Sequence, residues 1–409
     1  MDTIYVDNNA TTAVAPEVIA AMKPFLEGEY FNPSSMYEAA RPVAAAMDAA
    51  RRAIADALGA ADPGEFIFTG CATESNNAAL FGAIRANPSR KHVITTKVEH
   101  PAVLEVCVEL ERMGFEVTWL PVDRAGRLDV RDYIKALRPD TLIVSIMHAN
   151  NETGVIFPVA ELARITKETD PSILFHTDAT QSVGKLPVDL GDAMRHVDLL
   201  SFSGHKLHAP KGVGALYVRR GARWRPFMLG GHQEKGRRAG TENVPLIVAL
   251  GKAVDLAHQD REAELLHMEA MRDKLEKTIQ ERITHVEVNG AGAERLPNTL
   301  NVAAHYIEGE GILYQLDSHG ICASSGSACT SGSLEPSHVL RAMKVPFTAV
   351  HGSVRFSFSR YNTMEEVEKI CEVFPGIVAS LRKMSPYWDA AQDRPRPEAE
   401  AMLKSNLAG

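Results

Sequence analysis

The chain has 409 residues, 45% hydrophobic and 23% charged, with a net charge of −8. That length exceeds one ordinary core and predicts a large domain with a smaller one beside it. The acidic balance argues against nucleic acid or an anionic membrane surface as the main partner. No apolar run approaches the roughly 20 residues that cross a bilayer, and Met1-Asp2-Thr3 opens no secretory signal.

From about residue 15 to 255, short apolar runs alternate with amphipathic stretches. Strands are predicted at Glu65–Thr69, His92–Thr96, Glu116–Leu120, Leu142–Met147, Ile173–Thr177, Leu199–Ser203 and Gly214–Val218. Helix-length segments such as Val43–Leu58 and Val159–Glu168 lie between them. Continuous apolar strands separated by helices predict an α/β domain with a mostly parallel sheet, drawn here at 15–258. Near residue 260 the rhythm changes. A long helix from Glu262 to Arg282 carries Leu265, Met268, Met271, Leu275 and Ile279 at three-to-four spacing. Strand-like pieces at His285–Asn289, Thr299–Ala303, Ile321–Ser324 and Ser353–Ser359 follow, with helices at Gly311–Ser318 and Met364–Lys383. These predict a small α+β domain built from 1–14 and 259–388, with 389–409 as a peripheral tail. The short basic clusters Arg219-Arg220 and Lys235–Arg238 read as solvated loops.

Open α/β sheets bind ligands at the carboxyl ends of their strands, so the residues that follow each strand are the candidates. Leu199–Ser203 runs into Gly204-His205-Lys206, and a lysine there can hold an aldehyde cofactor as a Schiff base. A lone lysine is more often a surface residue. Ile173–Thr177, however, runs into Asp178, which can keep a pyridine nitrogen protonated, and the pair is more informative than either member. After the first large-domain strand comes Gly70-Cys71-Ala72-Thr73-Glu74-Ser75 and then a helical run, a place for phosphate at a helix N-terminus or for a simple N-cap. Ser203 and His205 can complete that cup. His100 ends another strand, where an imidazole can stack on a ring or move protons. Asn151 follows a fourth and offers its amide to a phenolate or carboxylate oxygen. In the small domain Ser353–Phe358 alternates with period two, placing Arg355 opposite Val354, Phe356 and Phe358. A guanidinium on a strand suits capture of an amino-acid carboxylate, as it also suits a surface salt bridge.

The five cysteines, at 71, 107, 322, 329 and 371, are too scattered for a disulfide framework or a zinc pair, and a reducing cytoplasm is expected. Cys107, Cys322 and Cys371 fall in predicted helices or strands and read as core. Cys71 reads as a small filler in the phosphate loop. Cys329 alone lies in a small, polar stretch, Ser324–Ser333, where a thiol reads as a nucleophile on a mobile arm or as an incidental linker residue.

Ser203-Gly204-His205-Lys206, His176-Thr177-Asp178-Ala179, Ala72–Asn77 and Ser324–Ser333 together resemble the cysteine desulfurases of the class V aminotransferase fold. Asp7–Thr12 and Asn32-Pro33-Ser34-Ser35 carry the same likeness, which runs from residue 4 to about 388. Gly230–Asn243, Ser327–Val339 and Ser385–Trp388 look like the nitrogen-fixation (NifS-type) branch, and Cys71 stands where many relatives have Gly or Ala. The resemblance implies a pyridoxal-phosphate-dependent, aminotransferase-like fold (fold type I) and a homodimer. Lys206 would carry pyridoxal 5'-phosphate and act as base, Asp178 pair with its ring nitrogen, Gln181 bond the ring hydroxyl, and His100 stack on the ring. Ala72, Thr73, Ser203 and His205 would hold the phosphate with Thr241 of the partner subunit, and Asn151 and Arg355 the substrate carboxylate. Cys329 would take sulfur from L-cysteine as a persulfide, leaving L-alanine, and pass it to an iron–sulfur scaffold protein, nitrogenase maturation being the sharper reading. No resident metal is implied, though Cys329 would contact an iron–sulfur cluster in transit. Alternatives are a selenocysteine lyase or aminotransferase of the same fold, or a non-catalytic sulfur-handling adaptor.

Overall fold

The computed structural model describes residues 3–325 and 336–399. After the short β1 (Ile4–Tyr5) come β2 (Phe66–Thr69), β3 (His92–Thr96), β4 (Glu116–Leu120), β5 (Thr141–Ser145), β6 (Leu174–Asp178), β7 (Leu199–Ser203) and β8 (Gly214–Val218). Strands β2 to β8 form one sheet in the order β2-β8-β7-β6-β5-β3-β4, and within it only β8 runs against its neighbours.

Burial on both faces explains why these strands, the partly exposed edge strand β4 apart, lack polar alternation. Phe66, Phe68, Val144, Phe175 and Leu200 face one core with the helices Arg41–Ala57, Val159–Thr169 and Val244–Gln259. Their neighbours Ile67, Ile143, Leu174 and Leu199 face the opposite core, against helices Ala72–Ala86 and Pro101–Arg112. Cys107 belongs to that second core.

The later part of the chain builds a smaller antiparallel sheet. Strands β9 (Val286–Val288), β10 (Thr299–Ala304) and β12 (Ser353–Ser357) pair in the order β12-β10-β9. Met268, Met271, Leu275 and Ile279 of the helix Arg261–Arg282 pack with Phe356, Phe374 and Cys371 in a third core. The three-to-four stripe therefore buries as expected. The short β11 (Ile321–Cys322) pairs in parallel with β1, so the start of the chain lies against a strand more than three hundred residues later.

Two features refine the sequence expectation. The peripheral tail is folded back as far as Glu398 and Ala399: β13 (Trp388–Asp389) pairs with β14 (Arg394–Pro395), and Trp388 is buried beside Tyr306 and Ala399 with the Arg382 guanidinium over its ring. A large indole surface removed from water outweighs the breaking tendency of Pro395 and Pro397. The basic clusters are also not simple solvated loops. Arg219 donates to the carbonyls of Val197, Leu190 and Met194, and Arg238 forms an ion pair with Glu74.

Candidate active site

Five strands of the large sheet end at one cavity of about 310 Å³. Ala72, Thr73, His100, Asn151, Asp178, Gln181, Ser203, His205, Lys206 and Arg355 all line it. Thr241 is exposed and not on this wall, and Cys329 lies outside the described residues.

Strand β2 delivers the helix Ala72–Ala86. Its N-cap, Cys71, gives no side-chain hydrogen bond, so the first-turn amides remain available to an anion and the helix dipole favours one. Gly214 makes this packing possible. A Cβ there would sit 2.7 Å from the Phe202 carbonyl oxygen and 2.9 Å from the Cys71 carbonyl carbon, so β8 can pass under the loop only as glycine.

Strand β7 turns at once into a single 3₁₀ turn, Gly204–Lys206, which presents Ser203, His205 and Lys206 together. Lys206 Nζ donates to the backbone carbonyls of Asn9 and Ala10, each at 2.7 Å. His205 Nδ1 lies 3.2 Å from Thr11 Oγ1. Burial, reinforced by Lys206 and Lys211, brings the His205 pKa down to about 4, so it is neutral near pH 7 and able to share its ring nitrogens with a polar ligand.

Strand β6 ends in Asp178, buried and fixed by two donors. Asn76 Nδ2 donates to Oδ2 at 2.6 Å, and the Thr180 amide donates to Oδ1 at 2.9 Å. The two N–H groups fix the carboxyl group in one orientation at the cavity wall. Strand β3 ends in His100, which caps the helix Pro101–Arg112 by accepting the Ala102 amide at Nδ1. In the neutral ring this leaves the proton on Nε2. Burial lowers the His100 pKa, opposed by Asp178 and helped by Lys206.

The loops after β3 and β5 are bolted together by Glu99. Thr96 Oγ1 and the Met147 amide both donate to its carboxyl, while burial pushes its pKa up to about 8. Asn150 spends its side chain on the Glu152 and Thr153 amides, which turns Asn151 rather than Asn150 to the cavity.

Arg355 closes the opposite wall. Nη2 pairs with Asp7 Oδ1 at 2.7 Å and Nη1 donates to the Asn151 carbonyl at 2.9 Å. Its Nε, Asn76 Oδ1 and Thr180 Oγ1 are buried on this wall with no partner among the described residues. Buried polar atoms in such a place await a ligand or water. An amine, a carboxyl group, open helix amides and a guanidinium make a set of groups that fits pyridoxal phosphate carrying an amino acid.

Sequence reasoning passed over Asn9 and Asn76. Asn9 is a hub: its backbone oxygen receives Lys206 and Gln181, and its side chain joins Asn151, Thr299 and Asn298. Nothing in its local spacing signals this, because every partner is distant in sequence. Asn76 had a readable sign, a polar residue on the small-residue face of the helix that packs on the sheet.

The sequence profile of the family described as "Aminotransferase class-V" matches residues 4–370. "Cysteine desulfurase NifS" of Azotobacter vinelandii is 53% identical over 388 residues, covering 95% of this chain and 96% of that protein. A "Cysteine desulfurase" of Gluconacetobacter diazotrophicus is 54% identical over 394 residues, covering 96% and 97%. Among solved structures, a "NifS-like protein" superposes with a TM-score of 0.87 at 38% identity, covering 93% of this chain and all of that one. "SspA in complex with cysteine" gives a TM-score of 0.77 at 37% identity, covering 88% of this chain and 100% of that one. The chain belongs to the class-V aminotransferase family and, within it, to the pyridoxal-phosphate-dependent cysteine desulfurases.

Proposed function

We propose that this enzyme takes the sulfur of L-cysteine onto Cys329 as a persulfide, releases L-alanine, and supplies the sulfur for iron–sulfur cluster assembly. The observation that carries the reading is the convergence of Lys206, Asp178 and Arg355, from three separate strands, on one cavity.

Pyridoxal phosphate, when bound, supplies an electron sink that loosens the bonds at Cα and Cβ of an amino acid. Ala72, Thr73, Ser203 and His205 would hold its phosphate, Asp178 its ring nitrogen, and His100 one face of its ring. Arg355, with Asn151, binds the substrate carboxylate, and the Asp7 pairing keeps the guanidinium plane fixed for a two-point contact. Lys206, through its amine, takes the Cα proton and returns it.

Cys329 acts on the sulfur. Its thiolate forms the S–S bond as the substrate's Cβ–S bond breaks, and the electron pair of that bond stays on carbon. Protonation of Cβ gives the methyl group of alanine, so cysteine and a thiol become alanine and a persulfide with no outside oxidant. Only the thiolate attacks, so a nearby base or cation is required. Support for this thiol comes from the residues that flank it. Ser324 exchanges two backbone hydrogen bonds with Arg355, and His338 Nε2 lies 2.9 Å from the Glu99 carbonyl, next to His100. Both flanks of the segment are thus fastened at the rim of the cavity.

A homodimer in which Thr241 of the partner subunit meets the phosphate accords with the exposure of Thr241 and of Tyr30, Met36 and Leu229. An iron–sulfur scaffold protein is the acceptor we assign, nitrogenase maturation the destination, and the cytoplasm the compartment. These rest on the branch resemblance of residues 230–243 and 327–339 and on the identity shared with the Azotobacter relative. No helix among the described residues is long and apolar enough to cross a membrane.

Mass spectrometry of the enzyme after brief cysteine treatment tests the reading. One sulfur is expected on the peptide containing Cys329, with alanine as co-product. Cys329→Ala is expected to keep the yellow cofactor and yield neither. Normal alanine output from that variant, or sulfur on another cysteine, overturns the assignment, and a keto acid in place of alanine points to the aminotransferase alternative.

A further inference from the structure

Lys185 is a buried lysine that no step above uses. It lies four residues beyond Gln181 in the turn that follows β6, and its Nζ donates to Gln181 Oε1 at 2.9 Å and to Asn9 Oδ1 at 3.4 Å. Both acceptors are neutral amide oxygens. Burial, reinforced by the positive charges of Lys206 and Arg355, brings its pKa down to about 7. A buried ammonium without a carboxylate is costly, and an apolar side chain of the same length would fill the space more cheaply.

What the amine achieves is a choice of direction. A carboxamide has two ends of nearly equal size, one that only accepts and one that only donates, so packing alone does not select which faces where. As the ammonium, lysine has only donors and therefore admits only the oxygen end. With Oε1 held by Lys185, Gln181 Nε2 is turned away, gives one hydrogen to the Asn9 carbonyl at 2.9 Å, and keeps the other for the cavity that Gln181 lines. Asn9 is held in turn: its amide nitrogen bonds Ser357 Oγ, and its Oδ1 also receives Asn298.

We propose that Lys185 is a positioning residue for the cofactor: it locks the Gln181 carboxamide with its NH₂ end toward the cavity, as the donor to the oxygen on the pyridine ring. This rests on the reading of the cavity as the pyridoxal-phosphate site.

The test is a pH titration of the visible absorbance band of the holoenzyme without cysteine. A donor on the ring oxygen lowers the proton affinity of the conjugated system, so losing it moves the midpoint to higher pH. Lys185→Met is expected to raise the midpoint by about one unit, Gln181→Leu by a similar amount, and the double variant no further. Lys185→Arg, a cationic donor, is expected to restore the wild-type midpoint. If Lys185→Met does not fold, Lys185→Gln replaces it; an amide cannot impose a direction on another amide, so the same rise is expected. Lys206, Arg355, Asp178, His100 and His205 face the cavity in every variant, and their fields cancel in the comparison. An unchanged midpoint in the Lys185 variants overturns the proposal. So does an additive double variant, which would mean that Lys185 acts by its charge alone and not through Gln181. A wild-type enzyme that binds pyridoxal phosphate without any visible band overturns the cofactor reading instead.

Discussion

The cavity has two walls made in different ways. One is the edge of the large sheet, where Asp178, Ser203 and Lys206 project from strands whose register is fixed by backbone pairing and by apolar cores on both faces. The other is the segment Asp7 to Ala10, joined to Ser357 by backbone pairing and fastened by side chains to Asn151, Thr299, Ser357 and Arg355. The sheet wall owes its precision to topology and would keep its shape if one of its polar residues changed. The N-terminal wall is its hydrogen bonds, so removing one side chain there loosens several groups at once.

The widest separation between the walls is expected for Asp178→Asn. Its turnover should fall about 100- to 1,000-fold, since the amide cannot hold a proton on the ring nitrogen, while the thermal midpoint stays near that of the wild type. A large drop in melting temperature would instead make the sheet wall as fragile as the other. Next in size is Arg355→Lys, which keeps the charge and loses the fork. Steady-state assays should show KM for cysteine raised about tenfold or more with kcat less affected. Asn9→Ala should then reveal the second wall by costing stability and activity together. Calorimetry should record a loss of about 2–4 kcal/mol, because it leaves several buried donors and acceptors unsatisfied, and activity should fall several-fold. Loss of activity alone would show that the network is less cooperative than its geometry implies.

The smallest effect concerns pH. Glu99 and Glu152 are held up, to about 8 and about 7, chiefly by burial. Both folded values lie above the unfolded one of about 4.5. The folded state therefore binds more protons, and this stability is fully present below about pH 4.5 and lost as pH rises through 7 to 8. Melting curves of Glu99→Gln should decline less between pH 6 and 9 than those of the wild type. An equal decline would assign the pH dependence to other groups.

The sheet wall was legible in the sequence because each strand buried on both faces reads as an apolar run, and the first polar residues after it must lie at its end. Leu199–Ser203 followed by Lys206 is such a case, and observed boundaries differ from predicted ones by only a residue or two at β5 and β6. The other wall was not legible as structure. Ile4–Tyr5 is too short for any periodicity, and its partner is Ile321–Cys322. Asn9 and Lys185 act through groups that only the fold brings near. Glu99 looked like an ordinary polar residue beside His100, and only its burial marks it as a clamp between two loops.

The pairing of β1 with β11, continued by Val6 to Cys322 and by Asn9 to Ser357, also orders events in time. Ile4 and Tyr5 find their partners only after more than three hundred further residues have been made. Closing so long a loop is entropically costly and slow, whereas the sheet edge can organise from nearer neighbours. Newly made chains should therefore show sheet structure before they can retain cofactor. Capture of the cofactor thus reports that synthesis and folding have proceeded at least as far as Ser357.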